Sequence, residues 1–388
     1  ARREWTGEAA DPDEVENELT LLGIVGILDP PREGAEAAVR SAHAAGIRVI
    51  MITGDAMPTA RAIAARVHVP TTRALTGPQV DALTDDELRG VLCADDVLFA
   101  RTAPEHKLRI VRALQASGHV VGMTGDGVND APALEQADIG IAMGRRGTDV
   151  AKGAADIVLS DDDFASIVGA IEEGRRQYDN IQKFVRFLLA TNVGEVVAIC
   201  GNLVVGGPLI LVPAQILWMN LVTDGVSAIA LGIEPAERDV MHRPPRSVDS
   251  KIVDGSAAIP MLVLGTYMGL MTLALFETHR GPSAASHAHA QTMAFAGMIL
   301  AETLVVFNFR TLHAPLWSIG LFSNPWLIVA WTATIGLQLA AIYTEPMQKL
   351  LHTVPLSAQD WMTLLSCVAP AVILFELAKF LRWRRKAR

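Results

Sequence analysis

The chain has 388 residues, of which 51% are hydrophobic and 19% are charged, and its formal net charge is −9. This composition is too apolar for an ordinary soluble enzyme, and the excess of acidic residues does not support nucleic-acid binding. The three cysteines, Cys93, Cys200 and Cys367, lie far apart in the sequence. We therefore expect neither a disulfide framework nor a thiolate metal site.

The first half of the chain alternates short apolar runs with amphipathic stretches. Residues 1–18 are interpreted as a polar linker, and the apolar run at 19–28 predicts a buried strand that two prolines stop. Alternation of this kind favours a parallel sheet covered on both faces by helices. The predicted helices lie near 33–45, 58–67, 84–92 and 105–116, and the predicted strands near 47–52, 97–100, 120–123 and 139–142.

A glycine-rich turn carries the strongest chemical signal in this half. The apolar run 120–123 leads into Asp126 and Asp130, and a helix is predicted to begin at about Asn129. Two carboxylates at the carboxyl end of a strand suit Mg²⁺. The glycines on either side of Asp126 let the backbone approach a phosphoryl group, and Asn129 can donate a hydrogen bond there. The turn therefore predicts a phosphoryl-transfer site.

Two further segments are expected at the same edge of the sheet. Thr53-Gly54-Asp55 follows the predicted strand 47–52, while Arg101 and Lys107 follow the strand 97–100. Thr53 can hydrogen-bond a phosphoryl oxygen, and Lys107 places a compact positive charge where negative charge builds up during transfer.

These segments resemble a known family. Met123-Thr124-Gly125-Asp126-Gly127-Val128-Asn129-Asp130-Ala131-Pro132-Ala133-Leu134 closely resembles the hinge motif of P-type cation-transporting ATPases, which belong to the haloacid-dehalogenase superfamily, and 99–107 resembles their third signature block. The resemblance implies an α/β haloacid-dehalogenase-like phosphorylation domain followed by an all-α bundle of six transmembrane helices, with ATP and Mg²⁺ as cofactors. It implies catalytic roles for Thr53, Gly54, Asp55, Lys107, Asp126, Asn129 and Asp130, nucleotide or phosphate binding by Thr53, Gly54, Asp55, Arg101, Lys107 and Asn129, and Mg²⁺ binding by Asp126 and Asp130.

The phosphoryl acceptor of that family has no counterpart in this sequence. In the family, an aspartate in an Asp-Lys-Thr-Gly-Thr segment is phosphorylated, and no such segment occurs here. We therefore expect the phosphorylation domain, placed at 19–162, to be incomplete and this chain alone to be inactive. Its expected partner is the missing amino-terminal half of the pump, in the same or a separate chain.

The second half is predicted to be embedded in a lipid bilayer. A charged helix at 163–183 is predicted to continue as a stalk into a membrane domain at 184–388. Most lysines and arginines of this domain fall in the loops after the second and fourth spans and in the tail, which predicts a multi-pass protein of the cell membrane whose soluble domain and carboxyl terminus are cytosolic. The predicted spans are 184–205, 209–231, 256–277, 291–309, 325–343 and 361–381.

Polar side chains within these spans form the second strong signal. Each carboxylate near the bilayer centre costs roughly 2.5–3.5 kcal/mol, so several together predict a compensating ion. A glycine beside Asp224 is expected to let its helix unwind and expose carbonyl groups. The residues concerned are Asn192 and Glu195 in the first span, Asn220, Thr223 and Asp224 in the second, and Glu302 in the fourth.

The segments 192–197 and 217–225 resemble the fifth and sixth spans of sarcoplasmic-reticulum-type calcium pumps. This resemblance implies that the six polar residues bind the transported cation. Oxygen ligands suit Ca²⁺ and permit Mn²⁺, whereas Cu⁺ and Zn²⁺ prefer other donors. The leading hypothesis is the carboxyl-terminal half of an ATP-driven exporter of cytosolic Ca²⁺. The alternatives are a pump for Mn²⁺, Na⁺ or H⁺, a membrane-anchored phosphohydrolase of the dehalogenase type, and a non-catalytic chain or one half of a split pump.

Overall fold

The computed structural model describes residues 19–23, 30–312 and 314–386. The described residues belong to two compact units, one up to residue 40 together with Val49–Ala165, and one formed by Ser41–Arg48 and Ser166–Arg388. The predicted linker at 1–18 and residues 24–28 of the predicted strand at 19–28 lie outside the described residues. In the described part of that strand Leu19, Leu21 and Leu22 are exposed, so the predicted burial is wrong there.

Short parallel strands alternate with helices along the chain as far as Leu159. Strand β1 pairs with β2, and β3, β4 and β5 form a second sheet in that order, with every pairing parallel. The elements are α1 (Ala35–Ala44), α2 (Met57–Arg66), β1 (Arg73–Thr76), α3 (Gly77–Asp81), α4 (Asp85–Ala94), β2 (Val97–Ala100), α5 (Pro104–Ala116), β3 (Gly122–Gly125), α6 (Ala131–Gln136), β4 (Ile139–Met143), α7 (Asp149–Gly153) and β5 (Ile157–Leu159).

Local sequence explains several of these boundaries. Thr84 caps α4, because its backbone N–H donates to Glu87 Oε2 at 2.8 Å and its hydroxyl oxygen accepts from the Glu87 N–H at 3.3 Å. Strand β2 is buried along its whole length, as expected for an apolar run in a parallel sheet. Phe99 of β2, Ile110 of α5 and Leu134 of α6 form the centre of the core between these elements.

The segment predicted as a strand at 47–52 forms no strand within the described part of the chain. Among the described residues the segment forms one parallel bridge, between Ile52 and Phe99. Two hydrogen bonds of 2.9 Å support it, from Thr53 N to Phe99 O and from Phe99 N to Met51 O. These bonds are too few to make a ladder. Strand β3 also begins two residues later than predicted, at Gly122, because Val120 is exposed and the Val121 N–H donates to the side chain of Asp138. Elements β1, α3, α7 and β5 were not predicted.

Long helices make up the second unit. Within the described residues, six helical stretches are long and apolar enough to cross a membrane, which confirms the predicted spans. They are α8 (Phe164–Val205), the stretch formed by α9 (Pro213–Trp218), a π-helical turn (Met219–Asp224) and α10 (Gly225–Gly232), then α11 (Gly255–His279), α12 (Ala284–Val305) with a 3-10 turn (Val306–Arg310), α13 (Pro325–Tyr343) and α15 (Ala358–Lys386), while α14 (Glu345–Leu351) is short.

One of these helices is formed as the sequence predicted, and another differs from the prediction. Helix α8 has 42 residues and runs unbroken from the charged stretch into the first span. At Gly225 the backbone does not unwind, since the π-helical turn ends at Asp224 and an α-helix starts at once. A π-helical turn keeps the backbone hydrogen-bonded while it changes the helical register.

Glycines bring α8 and α11 into backbone contact. A Cβ atom on Gly265 would lie 2.5 Å from Ala190 O, and one on Gly269 would lie 2.6 Å from Gly194 O. Small residues four apart permit this approach between membrane helices. The contact fixes the part of α8 that carries Glu195.

A buried ion pair joins the end of α10 to the 3-10 turn after α12. Arg310 is fully buried and bonds Glu234 at 2.7 Å, and Asn324 donates to the same carboxylate at 2.7 Å. Because removal of one partner would leave an uncompensated buried charge, these segments are held together.

We predict that Gly269→Ala destabilises the second unit by about 1–3 kcal/mol, because the added methyl group would overlap the carbonyl of Gly194. The matched control is Gly336→Ala on α13, where a Cβ atom would meet nothing within 4 Å. This control is expected to be neutral or slightly stabilising. Unfolding of the two variants in detergent micelles, followed by circular dichroism, measures the difference. Equal stability of the two variants would contradict the packing described here.

Candidate functional site

The turn after β3 is organised by Asp130, which is buried. Asp130 Oδ2 accepts hydrogen bonds from the backbone N–H groups of Asp126 at 3.2 Å and Gly127 at 3.1 Å. Its Oδ1 pairs with Lys107 Nζ at 2.5 Å. Gly125 must lack a side chain, because a Cβ atom there would lie 2.5 Å from Asp130 Cβ. Both oxygens of Asp130 are therefore committed to holding the turn.

Asp126 and Asn129 instead face solvent. The carbonyl of Asp126 accepts from Thr148 N at 2.9 Å, while its carboxylate has no hydrogen-bond partner in the described part of the chain. An exposed carboxylate beside glycine backbone can bind a hydrated Mg²⁺ ion, which keeps several waters and takes one or two protein carboxylates. The sequence predicted both aspartates as Mg²⁺ ligands. In the structure Asp130 is buried and hydrogen-bonded, whereas the carboxylate of Asp126 is exposed.

A second polar group follows the segment at 47–52. The Thr53 hydroxyl donates to Asp55 Oδ2 at 3.0 Å, and Asp55 N donates back to Thr53 Oγ1 at 3.1 Å. The Arg101 N–H donates to Asp55 O at 3.0 Å, and the Thr102 hydroxyl donates to Thr53 O at 3.0 Å. Arg101 has a φ of 50°, a left-handed conformation that costs energy for a residue with a side chain. Gly54 and the Asp55 side chain are exposed beside this turn.

Three buried carboxylates form the site in the membrane half. Glu195 on α8, Asp224 at the end of the π-helical turn and Glu302 on α12 each offer an oxygen, and these oxygens lie within 4.8 Å of one another. Asn220 Nδ2 donates to both oxygens of Glu195 at 3.1 Å. The Thr191 hydroxyl donates to Asp224 Oδ2 at 2.8 Å.

Several oxygens of this cluster are left without a partner. Among the described residues, nothing hydrogen-bonds either carboxylate oxygen of Glu302, Asp224 Oδ1 or Thr223 Oγ1, and no lysine or arginine pairs with the three carboxylates. The π-helical turn buries the consecutive residues Thr223 and Asp224 together. The result is a set of buried oxygens that can coordinate a hard cation.

The structure places the other predicted membrane ligands differently. Asn192 is exposed and donates to Leu188 O at 2.6 Å, outside the cluster. Its neighbour Thr191 is fully buried and was missed. Thr191 precedes Glu195 by four residues, so helical spacing alone could have placed both on one face.

Comparisons with known proteins cover almost the whole chain. The family of haloacid dehalogenase-like hydrolases matches residues 1–138, and the family described as cation transporting ATPase, C-terminus, matches residues 208–381. A calcium-transporting ATPase of Bacillus subtilis is 44% identical over 384 residues, which are 98% of this chain and 42% of the relative. The chain belongs to the P-type cation-transporting ATPases.

Other P-type ATPases show the same pattern. The endoplasmic reticulum calcium ATPase srcA of Aspergillus fumigatus is 41% identical over 95% of this chain and 41% of its own length. A probable cation-transporting ATPase F of Mycobacterium tuberculosis is also 41% identical, over 95% of this chain and 41% of the relative. The chain thus spans less than half the length of these relatives.

Family membership and fold class are therefore confirmed. The chain combines a haloacid-dehalogenase-like domain with a helical region, and with its six apolar helices it is a multi-pass membrane protein. The roles of the individual site residues and the predicted domain boundaries remain predictions.

We predict that Asp130→Ala destabilises the turn by on the order of 2 kcal/mol, because it leaves Lys107 and two backbone N–H groups without their acceptor. Asp126→Ala is the matched control, since its side chain is exposed, and is expected to change stability by no more than about 0.5 kcal/mol. Hydrogen exchange of the amides at 125–131 reports both variants. Equal protection in the two variants would show that Asp130 does not organise the turn.

Proposed function

We propose that this chain acts as part of an ATP-driven pump that exports Ca²⁺ from the cytosol. The observation that carries the proposal is the cluster of Glu195, Asp224 and Glu302, whose oxygens lie within 4.8 Å of one another inside the helical unit. Calcium-transporting relatives that align with 95–98% of the chain support the same conclusion.

The electrostatics of the cluster favour a divalent cation. Each carboxylate buried at bilayer depth costs roughly 2.5–3.5 kcal/mol, and three close together also repel one another. No basic side chain in the described structure offsets this charge. A bound cation removes the penalty, so the site is most stable when it is loaded.

The donor set narrows the choice of ion. Carboxylate, hydroxyl and amide oxygens suit Ca²⁺, which accepts six to eight oxygen ligands in flexible geometry. We propose Glu195, Thr223, Asp224 and Glu302 as ligands, with Asn220 positioned by Glu195 and able to offer its amide oxygen. Asn192 would join them only after a change of its side-chain rotamer. Mn²⁺ uses the same donors, whereas one Na⁺ ion would compensate one negative charge rather than two. Protons would neutralise the carboxylates without using the hydroxyl and amide oxygens as ligands.

The soluble unit supplies the phosphoryl-transfer half of the proposed cycle. Asp126 would bind Mg²⁺, while Asp130 holds the turn and Lys107 adds positive charge at its side. Thr53, Asp55, Arg101 and Asn129 line exposed turns that can contact ATP or the transferred phosphoryl group. Mg²⁺ would neutralise charge on the phosphoryl oxygens. The phosphorylated aspartate would be supplied by residues outside this sequence.

Coupling between the two activities is proposed to run through α8. A helix without a break can transmit motion from its charged amino-terminal part to the ion ligand Glu195. In this proposal the phosphorylation domain occupies 19–162, the stalk 163–183 and the membrane domain 184–388, with the phosphorylation domain and the carboxyl terminus on the cytosolic side.

Equilibrium binding of ⁴⁵Ca²⁺ to the protein in lipid nanodiscs tests the ion site. We predict that Glu302→Gln and Asp224→Asn each weaken binding by at least about tenfold, because each removes a negative charge from the coordination shell. Glu277→Gln is the control, since Glu277 pairs with Arg280 at 3.0 Å outside the cluster. Unaltered Ca²⁺ binding in both cluster variants would refute the assignment of the site. Tighter binding of Mn²⁺ than of Ca²⁺ would identify Mn²⁺ as the transported ion instead.

The proposed phosphoryl-transfer site is tested separately, in a pump that also contains the aspartate that is phosphorylated. We predict that Asp126→Asn blocks formation of phosphoenzyme from ATP, because it removes a charged Mg²⁺ ligand, while ⁴⁵Ca²⁺ binding stays unchanged. Normal phosphorylation of this variant in Mg²⁺ would contradict the role of Asp126.

A further inference from the structure

A cavity of about 330 Å³ lies among α12, α13 and α15, apart from the carboxylate cluster. This volume is at the lower end of the range of small-molecule sites. Its walls are mostly apolar, with one amide among them. The lining side chains used below are those of Ala296, Ile299, Leu300, Gln338 and Trp361.

Gln338 is the unusual member of this lining. Its side chain is 5% exposed, yet neither its Nε2 nor its Oε1 has a hydrogen-bond partner in the described ranges. An unsatisfied buried polar group costs about 1–3 kcal/mol. Thr334, one helical turn earlier on the same face of α13, also has an unpartnered hydroxyl. This face of α13 therefore carries polar groups that have no hydrogen-bond partner among the described residues.

One end of the cavity lies near the ends of two of the apolar helices. Gln338 is close to the end of α13 at Tyr343, and Trp361 is close to the beginning of α15. Trp361 Nε1 donates to the Tyr343 hydroxyl at 2.8 Å. Tyrosine and tryptophan are enriched where the hydrocarbon region meets the headgroups. A molecule in this cavity would thus have its polar part at the depth of lipid ester groups.

We propose that the cavity binds an acyl chain of a bilayer phospholipid, whose ester carbonyl accepts a hydrogen bond from Gln338 Nε2. The apolar walls match a hydrocarbon chain, and the single amide matches the one polar group at the top of that chain. Water fits less well, because a buried water needs two to four polar partners and these walls offer few. The site is separate from the proposed ion site and does not depend on it.

Photolabelling of the protein in nanodiscs tests this site. The probe is phosphatidylcholine with a diazirine in the middle of one acyl chain, and the adducts are mapped by mass spectrometry. In the unmodified protein we expect adducts concentrated on Ile299 and Leu300. Ala296→Phe fills the cavity and should abolish them, while Gln338→Leu should lower them about tenfold through loss of one hydrogen bond. Leu337→Phe, on the exposed face of α13, is the control and should leave them unchanged.

The melting temperature is a second readout, which also shows whether each variant is folded. Adding phosphatidylcholine to delipidated protein should raise the melting temperature of the unmodified protein and of Leu337→Phe, with a smaller rise for Gln338→Leu. The proposal is overturned if Ala296→Phe, still folded, is labelled like the unmodified protein, or if adducts in the unmodified protein are no denser at the cavity than around Leu337. If phosphatidylcholine raised the melting temperature of Gln338→Leu as much as that of the unmodified protein, the proposed hydrogen bond from Gln338 would be refuted.

Discussion

Three carboxylates packed together, with no basic side chain paired to them among the described residues, are the constraint on which the membrane half depends. Such a cluster is unfavourable in an apolar bundle, so the surrounding helices must hold it in place. Asn220 fixes Glu195, Thr191 fixes one oxygen of Asp224, and close glycine contacts bring α8 against α11. The π-helical turn contributes by burying Thr223 and Asp224 in succession. In the proposed function, a bound cation offsets the free-energy cost of clustering these carboxylates.

In the turn after β3, the two aspartates likewise have different surroundings. Asp130 has a structural role, because both of its carboxylate oxygens bind Lys107 or backbone N–H groups. The other, Asp126, is left exposed and unpaired within the described chain. A rigid turn that presents one free carboxylate is better organised for a metal ion than two solvated carboxylates would be.

The sequence predicted the features that depend on local composition and could not predict those that depend on distant contacts. Six spans, the central turn and the three membrane carboxylates were all visible as apolar runs or as charges within them. The pair between Lys107 and Asp130 joins residues 23 apart, and the bond between Thr191 and Asp224 joins residues 33 apart. Neither pairing is encoded in a local pattern. Among the described residues, the segment at 47–52 has one bridge and no strand for a related reason, since a strand needs a neighbour that pairs with it along its length.

The most direct test of the ion site is a crystal structure of the protein grown in Ca²⁺, with an anomalous difference map. We predict a peak coordinated by oxygens of Glu195, Asp224 and Glu302 at about 2.3–2.6 Å. A peak elsewhere in the bundle, or three carboxylates that remain clustered with no ion among them, would contradict it.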